Sequence, residues 1–178
     1  MNKKVVVISA SPRRKGNSDL LCEEFIRGAQ SAGHEAEKIF LSDHNIKYCT
    51  GCGSCVNTAK CILQDDMKEL IEKLIQADVI VFATPVYFYN MNGQLKTFID
   101  RLCPRYSELS GKTFYIIMSA AEDNIEIMNH VLESFEGFFD CLDEVHKAGV
   151  IYGLGVYQKN EIINNPALLE AYESGKQV

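Results

Sequence analysis

Four cysteines fall within CTGCGSCVNTAKC, Cys49 to Cys61, in a chain that has seven cysteines in all. Their spacing is C-x2-C-x2-C-x5-C, and Thr50, Gly51, Gly53 and Ser54 make the loop between them polar and flexible. Four thiolates can ligate a 4Fe–4S cluster, and a compact C-x2-C-x2-C run is a recurring way to bring three of them to one cube. Structural zinc uses the same donors, more often from two C-x-x-C units across a longer insert. A disulfide is geometrically open to a C-x-x-C pair but disfavoured in a reducing compartment. Cysteines serving only as small buried apolar residues would not need to cluster in so polar a loop.

A second group of chemically able residues is SASPRRKGNSD, Ser9 to Asp19. It offers hydroxyls at Ser9, Ser11 and Ser18, an amide at Asn17, cations at Arg13, Arg14 and Lys15, and a flexible Gly16. The segment opens into an amphipathic stretch, so it presents the N-terminus of a helix, where free N–H groups and the dipole favour an anion. It is neither G-x-G-x-x-G nor G-x-x-x-x-G-K-[ST], which turns the reading away from dinucleotide and Walker phosphate loops. A third group is TPVYFYNMNG, Thr84 to Gly93, where Tyr87, Phe88 and Tyr89 stand where polar loop residues are usual. Flat side chains and backbone amides can hold a heteroaromatic ring, and exposed aromatics also mark subunit contacts. The small polar stretch SAAEDN, Ser119 to Asn124, lets a ring edge approach the backbone. None of His34, His44, His130 or His146 falls in these loops, and Asp65–Asp66 reads as a helix cap.

What must position these groups is legible in the hydrophobic pattern. Lys3–Ser9, His34–Leu41, Asp78–Thr84, Lys112–Ser119 and a weaker Glu144–Gly155 read as strands. Between them Ser18–Ala32, Asp65–Ala77, Asn92–Cys103, the apolar stripe of Asp123–Leu142 and Pro166–Ser174 read as helices. Strict β/α alternation implies a parallel sheet covered on both faces, and right-handed crossovers leave few topologies. Five strands predict a doubly wound α/β sheet of order 2-1-3-4-5 in three α/β/α layers, one domain over 1–178, with the cysteine loop (48–64) inserted after strand 2. Ligands of such sheets sit beyond the carboxyl ends of the strands. A phosphate seat at strand 1 and a ring shelf at strand 3 describe a mononucleotide, most simply FMN.

The bulk numbers bound the partners. The net charge of −6 over 178 residues argues against nucleic-acid binding through phosphate neutralisation, and no apolar run reaches the ~18 residues that a membrane span requires. The run Val5–Ile8 is too short for a leader and is followed by arginines, so a cytoplasmic protein with reduced thiols is expected.

The segments SASPRRKGNS, ATPVYFYNMNGQLKTFIDR and the cysteine loop with its following DDM resemble the NADPH-dependent FMN reductase superfamily, and within it the iron–sulfur flavoproteins. The resemblance implies a flavodoxin-like fold, FMN as cofactor, and homodimers or homotetramers. Residue by residue it implies Ser9, Ser11, Arg13, Asn17 and Ser18 at the phosphate. Pro85, Val86, Tyr87, Phe88 and Asn90 would run along the ring, with Ser119, Ala120 and Ala121 at its far edge. Cys49, Cys52, Cys55 and Cys61 would hold a 4Fe–4S cluster. The expected function is an FMN-dependent oxidoreductase passing electrons between a donor such as NAD(P)H and a small-molecule or protein acceptor, with no catalytic side chain because flavin carries the chemistry. The alternatives are a plain NAD(P)H-dependent FMN or quinone reductase without a cluster, and a flavodoxin-like carrier or redox sensor without turnover.

Overall fold

The computed structural model describes residues 2–178. Strand β1 (Lys4–Ser9) sends Val5 and Val7 into one hydrophobic core and Val6 and Ile8 into another, all fully buried. A strand apolar on both faces is stable only inside a sheet covered on both sides. Helix α1 (Asn17–Ser31) leads to β2 (Glu35–Phe40), and α2 (Met67–Gln76) to β3 (Val79–Tyr87). A two-residue β4 (Asn90–Met91) precedes α3 (Gly93–Asp100), followed by β5 (Thr113–Ser119), α4 (Asn129–Phe139), β6 (His146–Gly153) and α5 (Ala167–Lys176).

The parallel strands lie in the order β2-β1-β3-β5-β6, with β4 folded back antiparallel onto β3. Counting parallel strands alone, this is the expected 2-1-3-4-5 order. Helices α1 and α5 cover the Val5/Val7 face, and α2, α3 and α4 cover the Val6/Ile8 face. The carboxyl ends of all five parallel strands therefore share one edge, where the three loops singled out above must emerge.

The structure departs from the sequence expectation in three places. Strand 3 does not end at Thr84 but continues to Tyr87, because Val86 and Tyr87 find partners in Met91 and Asn90. Asp65 is no simple helix cap, since its carboxylate forms a buried ion pair with Arg101. The apolar stripe over Asp123–Leu142 is not one continuous helix: Ile125–Met128 forms a 3₁₀ turn with Ile125 exposed, and α4 follows it, with Phe138 packed edge-on to Phe82 (centroids 5.9 Å apart).

Candidate functional site

At the end of β1 the chain passes into a tight loop closed on its own polar groups. The Ser11 hydroxyl donates to the Arg13 carbonyl at 2.8 Å and accepts the Arg13 N–H at 3.2 Å. Gly16 is required here, because a Cβ would lie 2.9 Å from both the Arg13 carbonyl and the Ser11 hydroxyl. No side chain caps α1, so the N–H groups of its first turn are left for another acceptor. Asp19 in that turn would oppose an anion, but Lys38 Nζ sits 2.9 Å from its Oδ1. The Ser9 hydroxyl and the Lys15 N–H also donate to Asp19, at 2.9 and 2.8 Å. Burial pushes the Lys38 ammonium down, but Glu23 and Asp19 outweigh it and hold the ammonium above its ordinary value. The helix start is thus electrostatically open to a negative group.

Of the residues expected here, Ser11 and Gly16 shape the cradle, and Ser18 lies buried in the first turn of α1. Ser9 and Asn17 brace it. The Asn17 amide donates to the Gln158 carbonyl at 2.9 Å, and its oxygen accepts the Ile162 N–H at 3.3 Å. Arg13 reaches the Tyr157 carbonyl at 3.5 Å. Arg14 turns away, pairing with Asp43 and lying over the Phe40 ring.

The β3–β4 hairpin stands beside this cradle. Asn92 ties the two together: it donates to the Ala10 carbonyl at 2.5 Å, receives the Leu95 N–H at 3.1 Å as the cap of α3, and sends its own N–H to the Thr84 hydroxyl at 3.0 Å. The hairpin turns on Phe88 and Tyr89 at φ 49° and 59°. Two-residue hairpin loops of this hand require positive φ and normally use Asn-Gly, so two aromatics here are a strained choice. Phe88 is fully exposed. Phe88→Gly is accordingly expected to raise stability by about 1 kcal/mol, read as a higher thermal midpoint; a lower one would show that the turn is not strained.

The third loop emerges beside them. Ala120 N–H donates to the Gly153 carbonyl and Val156 N–H to the Ala120 carbonyl, both at 2.9 Å. Tyr89 Oη approaches the Glu122 carboxylate at 3.4 Å, which links the hairpin to this loop. Ser119 and Ala120 are buried, and Ala121 is exposed beside them. Sequence reasoning missed Asp19, Lys38, Asn92 and the 154–162 segment. Asn92 carried a signal, an Asn directly before a helix, but Lys38 and Gln158 reach the cradle only through the fold.

The cysteine loop leaves the same edge after β2. Its stem is fastened by Asn45 N–H to Asp66 at 2.8 Å, Lys47 N–H to Asp65 at 3.0 Å, and Arg101 to Asp65 at 2.6 and 2.9 Å. Cys49, Cys52, Cys55 and Cys61 line one cavity of 230 Å³. Cys103, from well beyond this loop in the sequence, lines it too, with its sulfur 3.8 Å from that of Cys55. Hydrogen bonds from Ser54 draw the Cys52 thiol below its usual pKa, toward the thiolate that ligates metals. Among the described residues no three such side chains converge into a metal-holding group. The thiols are gathered around one space without meeting at a point.

The chain matches the family model described as NADPH-dependent FMN reductase over residues 3–143. It is 36% identical over 139 residues to an iron-sulfur flavoprotein of Archaeoglobus fulgidus, covering 74% of this chain and 63% of that one. It is 31% identical over 162 residues to Bacillus subtilis YwqN, covering 85% of each chain, a protein named provisionally as an NAD(P)H-dependent FMN-containing oxidoreductase. A Methanocaldococcus jannaschii iron-sulfur flavoprotein is 41% identical over 101 residues, 57% of this chain and 52% of the relative. The chain thus spans between half and two thirds of the two iron-sulfur flavoproteins. In fold it superposes on the NAD(P)H:quinone oxidoreductase from Methanothermobacter marburgensis with TM-score 0.76 at 18% identity, over 99% of this chain and 97% of that one.

Proposed function

This chain belongs to the NADPH-dependent FMN reductase family, a family of flavodoxin-like oxidoreductases, and from that premise we propose that it is an FMN-dependent electron-transfer enzyme whose cysteine loop carries a second redox centre. The observation that carries the flavin assignment is the uncapped start of α1 over a cradle that only Gly16 fits, beside an aromatic hairpin. FMN, when bound, accepts hydride at N5 and exchanges electrons one or two at a time.

In this reading the first-turn N–H groups at Asn17 and Ser18, with Ser11 and Arg13, hold the phosphate. Ser9 and Asn17 keep that turn in place through Asp19 and the 154–162 segment. Pro85, Val86, Tyr87, Phe88 and Asn90 offer the ring a backbone shelf, and Ser119, Ala120 and Ala121 border its other edge. The strained Phe88–Tyr89 turn keeps two aromatic groups at the rim. That exposed hairpin also supports assembly into a homodimer or homotetramer. The proposed setting is cytoplasmic, where cluster-ligating thiols stay reduced.

The donor set and its shared cavity fit a 4Fe–4S group held by Cys49, Cys52, Cys55 and Cys61, which would supply one-electron storage beside the flavin. NAD(P)H is the proposed donor, and the acceptor is a small molecule or a protein.

Anaerobic purification followed by flavin, iron and sulfide analysis tests both halves. FMN together with about four irons and four sulfides per chain is expected. A colourless protein that does not bind added FMN would sink the whole reading. Flavin without iron and sulfide would leave the cluster-free reductase, the second reading. Turnover of NADH or NADPH with a quinone separates either enzyme from a mere carrier.

The five-thiol cavity yields a sharper outcome. Cys52→Ser is expected to abolish iron and sulfide loading, whereas Cys103→Ser should retain it. The reverse pattern would mean that Cys103 replaces a member of the compact motif.

A further inference from the structure

Arg101 is the largest fully buried side chain among the described residues. Its Nη1 and Nη2 donate to Asp65 at 2.6 and 2.9 Å, and Nη1 also reaches the Lys47 carbonyl at 2.6 Å. Its Nε is buried and has no hydrogen-bond partner, sulfur included. An orphaned buried N–H is costly to keep, so its retention needs a reason. The guanidinium is a planar fork with its donors in fixed directions; once Asp65 takes the Nη end, the aim of Nε is set.

The surroundings hold a candidate acceptor, the sulfur of Cys61. Arg101 and Cys61 together line both the 230 Å³ thiol cavity and an adjoining cavity of 510 Å³. Two motifs that looked unrelated in the sequence, the DDM after the cysteines and the FIDR of the third helix, thereby meet at the neck of the cysteine loop. Asp65 comes from the first and Arg101 from the second.

We propose that Arg101 is a positioning residue for the cysteine loop's redox centre: Asp65 locks its fork, and its Nε–H is held for the sulfur of Cys61. Hydrogen bonds to ligand sulfurs raise the potential of an iron–sulfur centre, and the groups behind the ligands govern its retention. Arg101 therefore sets how readily the centre accepts an electron and how firmly it stays, without touching donor or acceptor. The potential and retention arms below rest on the cluster reading given above; the first arm does not.

The first arm uses the full chain as purified, labelled with ¹⁵N. One arginine Nε–H should exchange slowly with solvent, and its resonance should shift in Cys61→Ala. A slowly exchanging Nε–H that ignores Cys61→Ala overturns the inference whether or not iron is bound. The second arm uses anaerobically loaded protein. Arg101→Lys keeps a cation for Asp65 but lacks the Nε donor. It should lower the midpoint potential of the centre and speed iron loss to a chelator about tenfold, with FMN content unchanged. Equal potentials and equal loss rates in wild type and Arg101→Lys also overturn it. Wild-type protein without iron or sulfide defeats the cluster reading alone, and the resonance shift then decides the role of Arg101.

Discussion

Gly28→Ala is expected to destabilise the protein by about 3 kcal/mol, lowering the thermal midpoint by roughly 6–12 °C. A Cβ on Gly28 of α1 would lie 2.0 Å from the Tyr172 carbonyl of α5, and one on Gly175 of α5 would lie 2.0 Å from the Phe25 carbonyl of α1. Both obstacles are backbone, so neither can be relieved by a rotamer change, and the helices must separate. The same substitution at Gly137 in α4, where nothing lies within 4 Å of the added atom, should instead stabilise by about 0.5–1 kcal/mol through helix propensity. Thermal melts of the two variants test this, and a Gly28→Ala melt no lower than that of wild type would refute the close crossing. The effect should also reach the site. The segment leading into α5 holds Asn17 through Gln158 and Ile162, so FMN affinity should fall along with stability in Gly28→Ala and stay put in Gly137→Ala.

The second large effect lies at the neck of the cysteine loop. Asp65→Ala should cost about 3–5 kcal/mol, because it leaves a buried guanidinium without its counter-ion. The loss extends beyond the pair, since the Asp65 carboxylate also accepts the N–H groups of Lys47 at 3.0 Å and Met67 at 3.3 Å. Burial works to raise the Asp65 pKa, but Arg101 and those two N–H groups outweigh it and hold the carboxyl below the usual carboxylate range. A carboxyl depressed in the folded state binds its proton more readily when unfolded. Its stabilisation is therefore fully present above the ordinary value near about 4 and is lost as the pH falls through the lower folded value. Urea unfolding at a series of pH values should show the gap between wild type and Asp65→Asn narrowing below about pH 4. A gap independent of pH would mean that Asp65 is not the titrating partner.

The order of the parallel strands was legible because β1, β3 and β5 are apolar on both faces and alternate with amphipathic segments. Periodicity needs only neighbours along the chain, so length and composition carry it. The positions of the cradle, the aromatic hairpin and the thiol loop followed from the same pattern, since every parallel strand delivers its carboxyl end to one edge. The two-residue β4 escaped notice because its pairing depends on a turn that Phe88 and Tyr89 intrinsically oppose. Asp65 was read as a cap because an Asp before an apolar run signals a helix start, and nothing local announces a partner 36 residues away.

By itself, then, the sequence determined the sheet, its two-sided core and which loops meet at its carboxyl edge, because those are set by residue type at short spacing. Only the tertiary structure decided that Lys38 neutralises Asp19 at the helix start, that Cys103 joins four thiols from a distant loop, that Gly28 and Gly175 let two helices touch, and that Arg101 is buried with one donor left over. These are pairings between residues far apart in the chain. Their energies come from desolvation and close contact, which exist only once the layers have packed.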